Sequence, residues 1–337
     1  MIETSPVRDN GSSRDKAGVS GLAENLIFGP VPSRRLGRSL GINNIPPKIC
    51  SYACNYCQLG KTLKMRIRRQ ALYPPEGLFQ LVRSKVRQVL ERGERIDYLA
   101  LVPDGEPTLD VHLGEIISLF KSLGIPVAVI SNASLITDGT VRAELSEADW
   151  VSLKVDAVSE EIWRKIDRPH RRLELSEILE GIMKFKEEFR GFLATETMMV
   201  AGINDSEAEI REIAGFLGEL RPDTAYISIP TRPPADSAVR PAGAAELNSA
   251  YQVFSTGVKR VELLTGYEGN EFASTGNARE DILSITAVHP MRHDAVGDIL
   301  EKSDSDWYLI EEMIERGEIL RSEFNGSVFF LRSFSGG

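Results

Sequence analysis

Cys50, Cys54 and Cys57 are the only cysteines among 337 residues, and they stand together as Cys-x-x-x-Cys-x-x-Cys in the stretch Lys48-Ile-Cys-Ser-Tyr-Ala-Cys-Asn-Tyr-Cys-Gln. Three soft thiolates in one short loop suit iron and sulfide. They can hold three irons of a cubane 4Fe-4S cluster and leave the fourth iron without a protein ligand. An open iron is a place to bind a small molecule and do chemistry on it. A closed structural zinc site needs a fourth nitrogen or sulfur ligand at paired spacing. The four histidines, His112, His170, His289 and His293, all lie far downstream, so a fourth ligand would have to come from the fold. A disulfide is disfavoured by the odd count and by the lack of an export signal.

The elements that must position this loop follow it as apolar strands alternating with amphipathic helices. Strand patterns run near residues 39–42, 98–102, 127–130, 150–155, 192–200, 225–229 and 260–263, and helical patterns near 76–92, 113–123, 141–148, 175–189, 207–220 and 244–254. Such alternation builds a parallel sheet with helices outside, either open or curled into a barrel. In a βα barrel, function gathers at the C-terminal ends of the strands, and the polar and Gly-rich signals fall there. Cys50 follows the first strand, Asp104-Gly-Glu-Pro-Thr the second and Ser131-Asn-Ala-Ser the third. Lys154-Val-Asp closes the fourth, Glu196 and Met198 lie on the fifth, and Pro230-Thr-Arg-Pro-Pro follows the sixth.

The cysteine loop resembles the signature of the radical S-adenosylmethionine (radical SAM) enzymes, Cys-x-x-x-Cys-x-aromatic-Cys, with Tyr56 in the aromatic place. The stretch Phe28-Gly-Pro-Val-Pro-Ser-Arg-Arg-Leu-Gly-Arg-Ser-Leu-Gly-Ile-Asn, with Gln58-Leu-Gly-Lys after the cysteines, is similar to a branch of that superfamily related to the archaeal wybutosine-synthesis radical enzymes. The likeness covers about residues 27–264. It implies a partial (β/α)6 radical SAM barrel, one 4Fe-4S cluster on the three cysteines, and SAM chelated to the fourth iron through its amino and carboxylate groups. It also implies reductive cleavage of SAM to methionine and a 5'-deoxyadenosyl radical that abstracts hydrogen from a substrate. An electron donor such as reduced flavodoxin or ferredoxin follows from that chemistry. The cofactors supply the reaction, and the protein supplies orientation and exclusion of water and oxygen.

On the same resemblance, Gly105-Glu106-Pro107 is similar to the family's Gly-Gly-Glu stretch, whose backbone holds the SAM amino group; Asp104 replaces the first glycine. Ser131 and Asn132 suit ribose hydroxyls, Lys154 suits the SAM carboxylate, and Tyr56 is counted with them as a cofactor-binding residue. Plainer readings stand beside these: Glu106 as a first-turn acid, Ser131 and Asn132 as turn or capping residues, and Lys154 as the partner of Asp156. Glu196 and Arg232 are candidates for substrate contact, because charged groups projecting into a barrel mouth need a ligand or a partner. They are equally candidates to pair with each other.

A net charge of -9 argues against a protein that holds long nucleic acid by bulk electrostatics. Two basic runs stand against that background. Lys61, Lys64, Arg66, Arg68 and Arg69 contain no acid between them, and Arg164, Lys165, Arg168, Arg171 and Arg172 are interrupted only by Asp167. Each reads as a solvated surface or as a contact for an anionic partner. Hydrophobic residues at 42% suffice for a substantial core. Residues 1–25, rich in Ser, Gly, Asp and Arg, are expected to form a disordered tail. No charged-then-apolar leader and no run of about eighteen apolar residues is present. The expected location is a reducing, cytoplasmic one, with no membrane partner.

From about Ala278 the pattern changes to three short helices and two strands joined by Asn325-Gly326, a strong hairpin signal. The expected domains are a core over 26–264, a linker over 265–277 and a small winged-helix-like α+β domain over 278–334. Its third helix region carries Asp304, Asp306, Glu311, Glu312 and Glu315 against Arg316, which disfavours simple DNA readout. Protein contact, dimerisation or a lid is favoured, while Arg292, Arg321 and Arg332 keep nucleic-acid docking open.

The cysteine count narrows the chemistry further, since none remains for an auxiliary cluster or a covalent relay. The expected function is a radical SAM enzyme acting on a small anion or a nucleotide unit. Two alternatives stand: a radical SAM enzyme modifying RNA or tRNA docked on the tail domain, and an iron-sulfur sensor that needs the cluster but no SAM pocket.

Overall fold

The chain leads with an antiparallel hairpin, β1 (Ile27–Ser33) and β2 (Gly37–Ile42), followed by two short strands, β3 (Ile49–Cys50) and β4 (Lys64–Met65), that pair with each other in parallel. These come from a computed structural model that describes residues 26–266, 272, 274–286 and 290–333. The expected tail over residues 1–25, part of the linker, and His289 lie outside the described residues. Six further strands complete the main sheet: β5 (Tyr98–Leu101), β6 (Val127–Ser131), β7 (Trp150–Lys154), β8 (Phe192–Met198), β9 (Thr224–Ser228) and β10 (Val261–Leu264). The sheet has eight strands in the order β1-β2-β5-β6-β7-β8-β9-β10 and curls into a half-barrel. All its pairs are parallel except β1 with β2. The strands β2 and β5 to β9 form the (β/α)6 repeat expected from the sequence, with β1 and β10 added at its edges.

Crossover helices follow the strands: α1 (Pro75–Glu91), α2 (Leu113–Lys121), α3 (Gly139–Leu145), α4 (Glu160–Ile166), α5 (Leu175–Glu188), α6 (Glu207–Leu220) and α7 (Ala244–Phe254). Successive strand side chains point to opposite faces, and the sequence uses both. Leu99, Leu101, Val127, Val129, Val151 and Leu193 face outward into one large core with Val82, Ile116, Phe120, Phe185, Ile213 and Phe254 of the helices. The alternate residues Ala100, Ala128, Trp150, Ala194 and Tyr226 face inward and form a second cluster with Leu36 and Leu264. Alanines on three of these inner positions keep the floor low, which leaves room above it for polar side chains.

Two elements escape a periodicity reading. The helix α4 buries only Trp163 and Ile166, too few positions to show a 3.6-residue repeat. The strand β1 contains Gly29, Pro30 and Pro32, which punctuate a loop in most sequences; an edge strand tolerates them. The turn between β1 and β2 then crosses to the far side of the sheet. Arg34 donates through Nη2 to the Gly266 carbonyl at 2.8 Å and through Nη1 to the Leu263 carbonyl at 3.5 Å, tying one edge of the half-barrel to the other.

The tail runs α8 (Ala278–Thr286), β11 (Met291–Arg292), α9 (His293–Lys302), α10 (Trp307–Glu315), β12 (Ile319–Phe324) and β13 (Ser327–Arg332), with a three-stranded sheet in the order β11-β13-β12. Asn325 and Gly326 both adopt positive φ, 48° and 72°, as a two-residue hairpin turn demands. The tail core of Ile282, Met291, Val296, Ile310 and Met313 includes Phe28 and Val31 of β1. The tail is therefore packed onto the barrel's edge strand. Several of its charges are locally answered: Asp306 caps α10 by accepting from the Tyr308 N–H at 3.0 Å, Arg292 pairs with Asp294 at 3.1 Å, and Arg316 pairs with Glu312 at 2.5 Å. Among the described residues no helix is long and apolar enough to cross a membrane.

Candidate active site

The cysteine loop is held by backbone hydrogen bonds from two directions. Ala53 N–H donates to the Asp167 carbonyl at 3.1 Å, Asn55 N–H to Ile166 at 2.9 Å, and His170 N–H to the Ser51 carbonyl at 2.9 Å, which fastens the loop to the end of α4. From the other side, Glu106 N–H donates to the Ile49 carbonyl at 3.2 Å. Gly105, with φ 151°, makes that approach possible, because a Cβ there would lie 1.9 Å from the Ile49 oxygen. The close approach that Gly105 allows is thus to the cysteine loop's own backbone.

All three cysteines line one cavity of about 270 Å³ above the inner floor of the half-barrel. Burial, reinforced by Glu106, pushes the Cys50 thiol up to about 12. Burial also pushes Cys54 up, with Asp167 adding to it, and raises Cys57. Thiols in such surroundings keep their protons until a metal displaces them. Among the described residues no group of three or more His, Cys, Asp or Glu side chains is gathered as for one metal ion.

The structure brings the remaining candidates to the same cavity in two layers, except Pro107, which is buried at the start of the following turn and does not line it. Glu106 and Ser131 lie behind, each 1% exposed. The Glu106 carboxylate accepts from Thr108 N–H at 3.1 Å, Thr108 Oγ1 at 2.6 Å, Ser131 Oγ at 2.8 Å and Asn132 N–H at 2.7 Å. It caps the turn that begins at Pro107 and stitches the loop after β5 to the loop after β6. Burial raises its pKa, and those four donors work against the rise. Asn132 is half-buried and donates through Nδ2 to Ser51 Oγ at 2.9 Å and towards Cys50 Sγ at 3.5 Å. Its Oδ1 accepts from Ser134 N–H at 3.0 Å.

Facing the cysteines is a charged group on β7 and β8. Glu196 accepts from Lys154 Nζ at 3.1 Å, from Ser228 Oγ at 3.0 Å, and from the Arg35 guanidinium. Burial opposes its charge, but Arg35 and Lys154 outweigh that and hold its pKa down to about 2. Lys154 stands 3.7 Å from Asp156 and 5.0 Å above the Tyr56 ring. Burial works against its charge too, yet Asp156 and Glu196 keep its pKa above the ordinary lysine value. Arg232 does not pair with Glu196; its Nη1 donates to Gln58 Oε1 at 2.7 Å.

Beneath Tyr56 lies an acid pair. The Tyr56 hydroxyl donates to Asp156 and lies 3.2 Å from Asp167 Oδ1, which also accepts from Cys54 Sγ at 3.3 Å. Burial, with Asp156 beside it, pushes Asp167 up. Arg35, Asp167 and Lys48, which pairs with Asp104 at 3.0 Å, were not among the residues singled out as candidates. Arg35 had a signal, in Ser33-Arg34-Arg35-Leu36 before a strand, but nothing local showed that it crosses to β8. Asp167 was legible only as an interruption in a basic run.

A family model described as the Radical SAM superfamily matches residues 44–217. The chain is 43% identical over 310 residues to the UPF0026 protein MJ1312 of Methanocaldococcus jannaschii, covering 91% of this chain and 96% of that protein. It is 34% identical over 211 residues to a UPF0026 protein of Helicobacter pylori, covering 62% and 67% of the two chains. Among solved structures, Streptococcus suis SuiB bound to precursor peptide SuiA is similar, with a TM-score of 0.50 at 12% identity over 78% of this chain and 57% of that one. That last likeness is one of fold alone.

Proposed function

From the premise that this chain belongs to the radical SAM superfamily, an enzyme family whose members use a 4Fe-4S cluster and SAM, we propose that Cys50, Cys54 and Cys57 hold the cluster and that the cavity beside them takes SAM and an anionic substrate. When bound, cluster and SAM together supply reductive cleavage of SAM to methionine and a 5'-deoxyadenosyl radical that abstracts hydrogen from the substrate. The observation that carries the reading is that the chain's only three cysteines line one cavity with Lys154, Glu196 and Arg232.

The chain's own residues do the positioning. The loop after β5 fixes the cysteine loop through Gly105 and Glu106, and the Glu106 carboxylate orders the Asn132 backbone at the cavity edge. Asn132 Nδ2, aimed at Cys50 Sγ, is placed to donate to a thiolate. Lys154, a compact cation on a buried network, would hold a carboxylate; Tyr56 walls the side below it. Pro107 and Ser131 support these residues from behind.

The anionic substrate follows from a charge count at the cavity. Arg34, Arg35, Lys48, Lys154 and Arg232 line it, against the carboxylates Asp104, Glu106 and Glu196. Glu106 is sealed off by its four donors, and Glu196 and Asp104 are shared with cations. Five cations beside three carboxylates among the described lining residues support a substrate with a phosphate or carboxylate group. Arg232 is the residue for that group, and Glu196 acts through Arg35 and Lys154.

The helix-strand-helix-helix-hairpin order supports reading residues 278–334 as a winged-helix-like domain on a core of 26–264. The kinship to the wybutosine-synthesis branch rests on the stretch from Phe28 to Asn43.

Anaerobic reconstitution with iron and sulfide, followed by SAM and dithionite, tests the reading. The expected products are 5'-deoxyadenosine and methionine. A protein that assembles a cluster but neither binds nor cleaves SAM would overturn it.

A further inference from the structure

The turn between β1 and β2 folds into the half-barrel instead of looping away from it. Ser33 Oγ accepts from the Arg35 and Leu36 N–H groups, each at 3.3 Å, and Asp97 Oδ2 accepts from the Arg38 N–H at 2.8 Å, so the turn is fixed at both ends. Leu36, 2% exposed, lies on the inner floor with Ala100, Ala128 and Ala194. The two arginines before it leave in different directions. Arg35 reaches Glu196 on β8, whereas Arg34 reaches the end of β10 and the residues after it. Arg34 is exposed although it lines the cysteine cavity, so it stands at the cavity's mouth.

Arg34 is held differently from the lysines and from Arg35 around the same cavity. Arg35 and Lys154 share the Glu196 carboxylate, and Lys48 is paired with Asp104. Arg34 forms no ion pair among the described residues; its partners are two backbone carbonyls, that of Gly266 at 2.8 Å and, longer, that of Leu263 at 3.5 Å. A carbonyl orients a guanidinium without neutralising it. Of the five N–H donors of an arginine, Nη2 spends one on Gly266 and Nη1 one on Leu263. The Nε hydrogen and one on each Nη remain, with the whole positive charge. That fork of donors meets a carboxylate or a phosphate at two points.

We infer that Arg34 binds a second anionic group of the substrate, so that the enzyme takes a small molecule anionic at two places, one met by Arg232 and the other by Arg34. The inference deepens the reading of the cavity given above and rests on it. Arg232 is held by Gln58, the residue after Cys57, and so belongs to the cysteine side of the cavity. Arg34 is held at the end of β10, the last strand of the sheet. Clefts that enclose a drug-sized ligand measure about 300–1,000 Å³. A cavity of about 270 Å³ that takes SAM leaves the far end of a second molecule at the mouth, where Arg34 stands. A role confined to tying the β1–β2 turn to β10 accounts for the two carbonyl bonds, but it leaves the charge and the remaining donors without use.

The test uses the full chain, reconstituted with its cluster and saturated with SAM so that added anions cannot take the place of SAM's own carboxylate. The probes are α,ω-dicarboxylates from succinate to suberate and the matching alkane bisphosphonates, with butyrate and butylphosphonate as single-anion controls, titrated by calorimetry. One length is expected to bind about tenfold or more tightly than its control, because the second contact becomes intramolecular. The series that holds this optimum tells carboxylate from phosphate. Arg34→Gln is expected to remove the advantage while changing the control by no more than about twofold, and Arg34→Lys, which keeps the charge without the fork, to fall between. On the unaltered chain the best probe is expected to protect Arg34 from phenylglyoxal, read by mass spectrometry. An advantage kept in Arg34→Gln, the lack of any length optimum, or the lack of protection overturns the inference. So does faster hydrogen exchange over residues 261–266 in Arg34→Gln with unchanged probe affinity, which assigns Arg34 to the structural tie alone. A wild-type chain that holds SAM but none of the anions contradicts the anionic substrate as well, and one that holds no SAM sinks the cavity reading itself, so each failure is told apart from the others.

Discussion

Cys50, Cys54 and Cys57 line one side of the cavity with thiols that burial keeps protonated, whereas Glu196, on the same cavity, is buried, charged and held by Arg35, Lys154 and Ser228. Both regions take polar groups out of water. They answer the cost differently. The carboxylate is compensated by cations already in the chain, one of them carried across the half-barrel by the β1–β2 turn. The thiols are compensated only in part: Glu106 and Asp167 oppose ionisation of Cys50 and Cys54, while Lys48 and Lys154 favour that of Cys57 without overcoming its burial. A region completed by its own residues can orient a ligand. A region left incomplete is where a cofactor supplies the charge.

The comparison can be broken at either end. Cys54→Ala carries the largest expected effect: bound iron and sulfide, measured after anaerobic reconstitution, fall to background, and SAM cleavage is lost with them. Full retention of the cluster's visible absorbance would show that the loop is not the ligand set. Glu196→Ala comes next, because it takes the shared carboxylate from the half-buried Arg35 and Lys154; the expected loss is about 1–3 kcal/mol in urea unfolding. A loss within experimental error would mean that the cations find other partners and that the region is not self-completed.

Gly105→Ala sharpens the other side. It drives a Cβ against the Ile49 carbonyl and should cost about 1–3 kcal/mol, with iron released faster to a chelator. The acid behaviour of Glu196 should stay as it was. That behaviour is itself a smaller, separate prediction. A carboxylate whose folded pKa lies below its unfolded value stabilises the fold above the unfolded value, here near 4.5, and loses that contribution as the pH falls towards about 2. Urea midpoints taken between those two pH values should therefore fall less steeply in Glu196→Gln than in the wild type. Parallel slopes would contradict the pairing.

The outer half of the fold was legible because its helices and strands are long and regularly patterned. Leu99, Val127 and Val151 alternate with the small inner residues, and α1, α5 and α6 keep a steady apolar face. What the sequence hid was either short, as in α4, or long-range. Arg35 and Glu196 are far apart in the chain, and no spacing rule joins them. Glu106 illustrates a different limit: a motif can name a residue without saying which of its atoms are already spent, and its carboxylate accepts from Thr108 in its own loop and from Ser131 and Asn132 at the end of β6. The basic runs were visible as charge, but only the pairing of β3 with β4 shows that one of them lies against Cys50.

The central claim is that the cysteine loop presents an iron open to SAM. Electron paramagnetic resonance of the reduced, reconstituted protein, recorded with and without SAM, tests it most directly. The account predicts a reduced 4Fe-4S signal whose g values shift when SAM is added, because a ligand has joined one iron of the cluster. An identical spectrum in the presence of saturating SAM would contradict it.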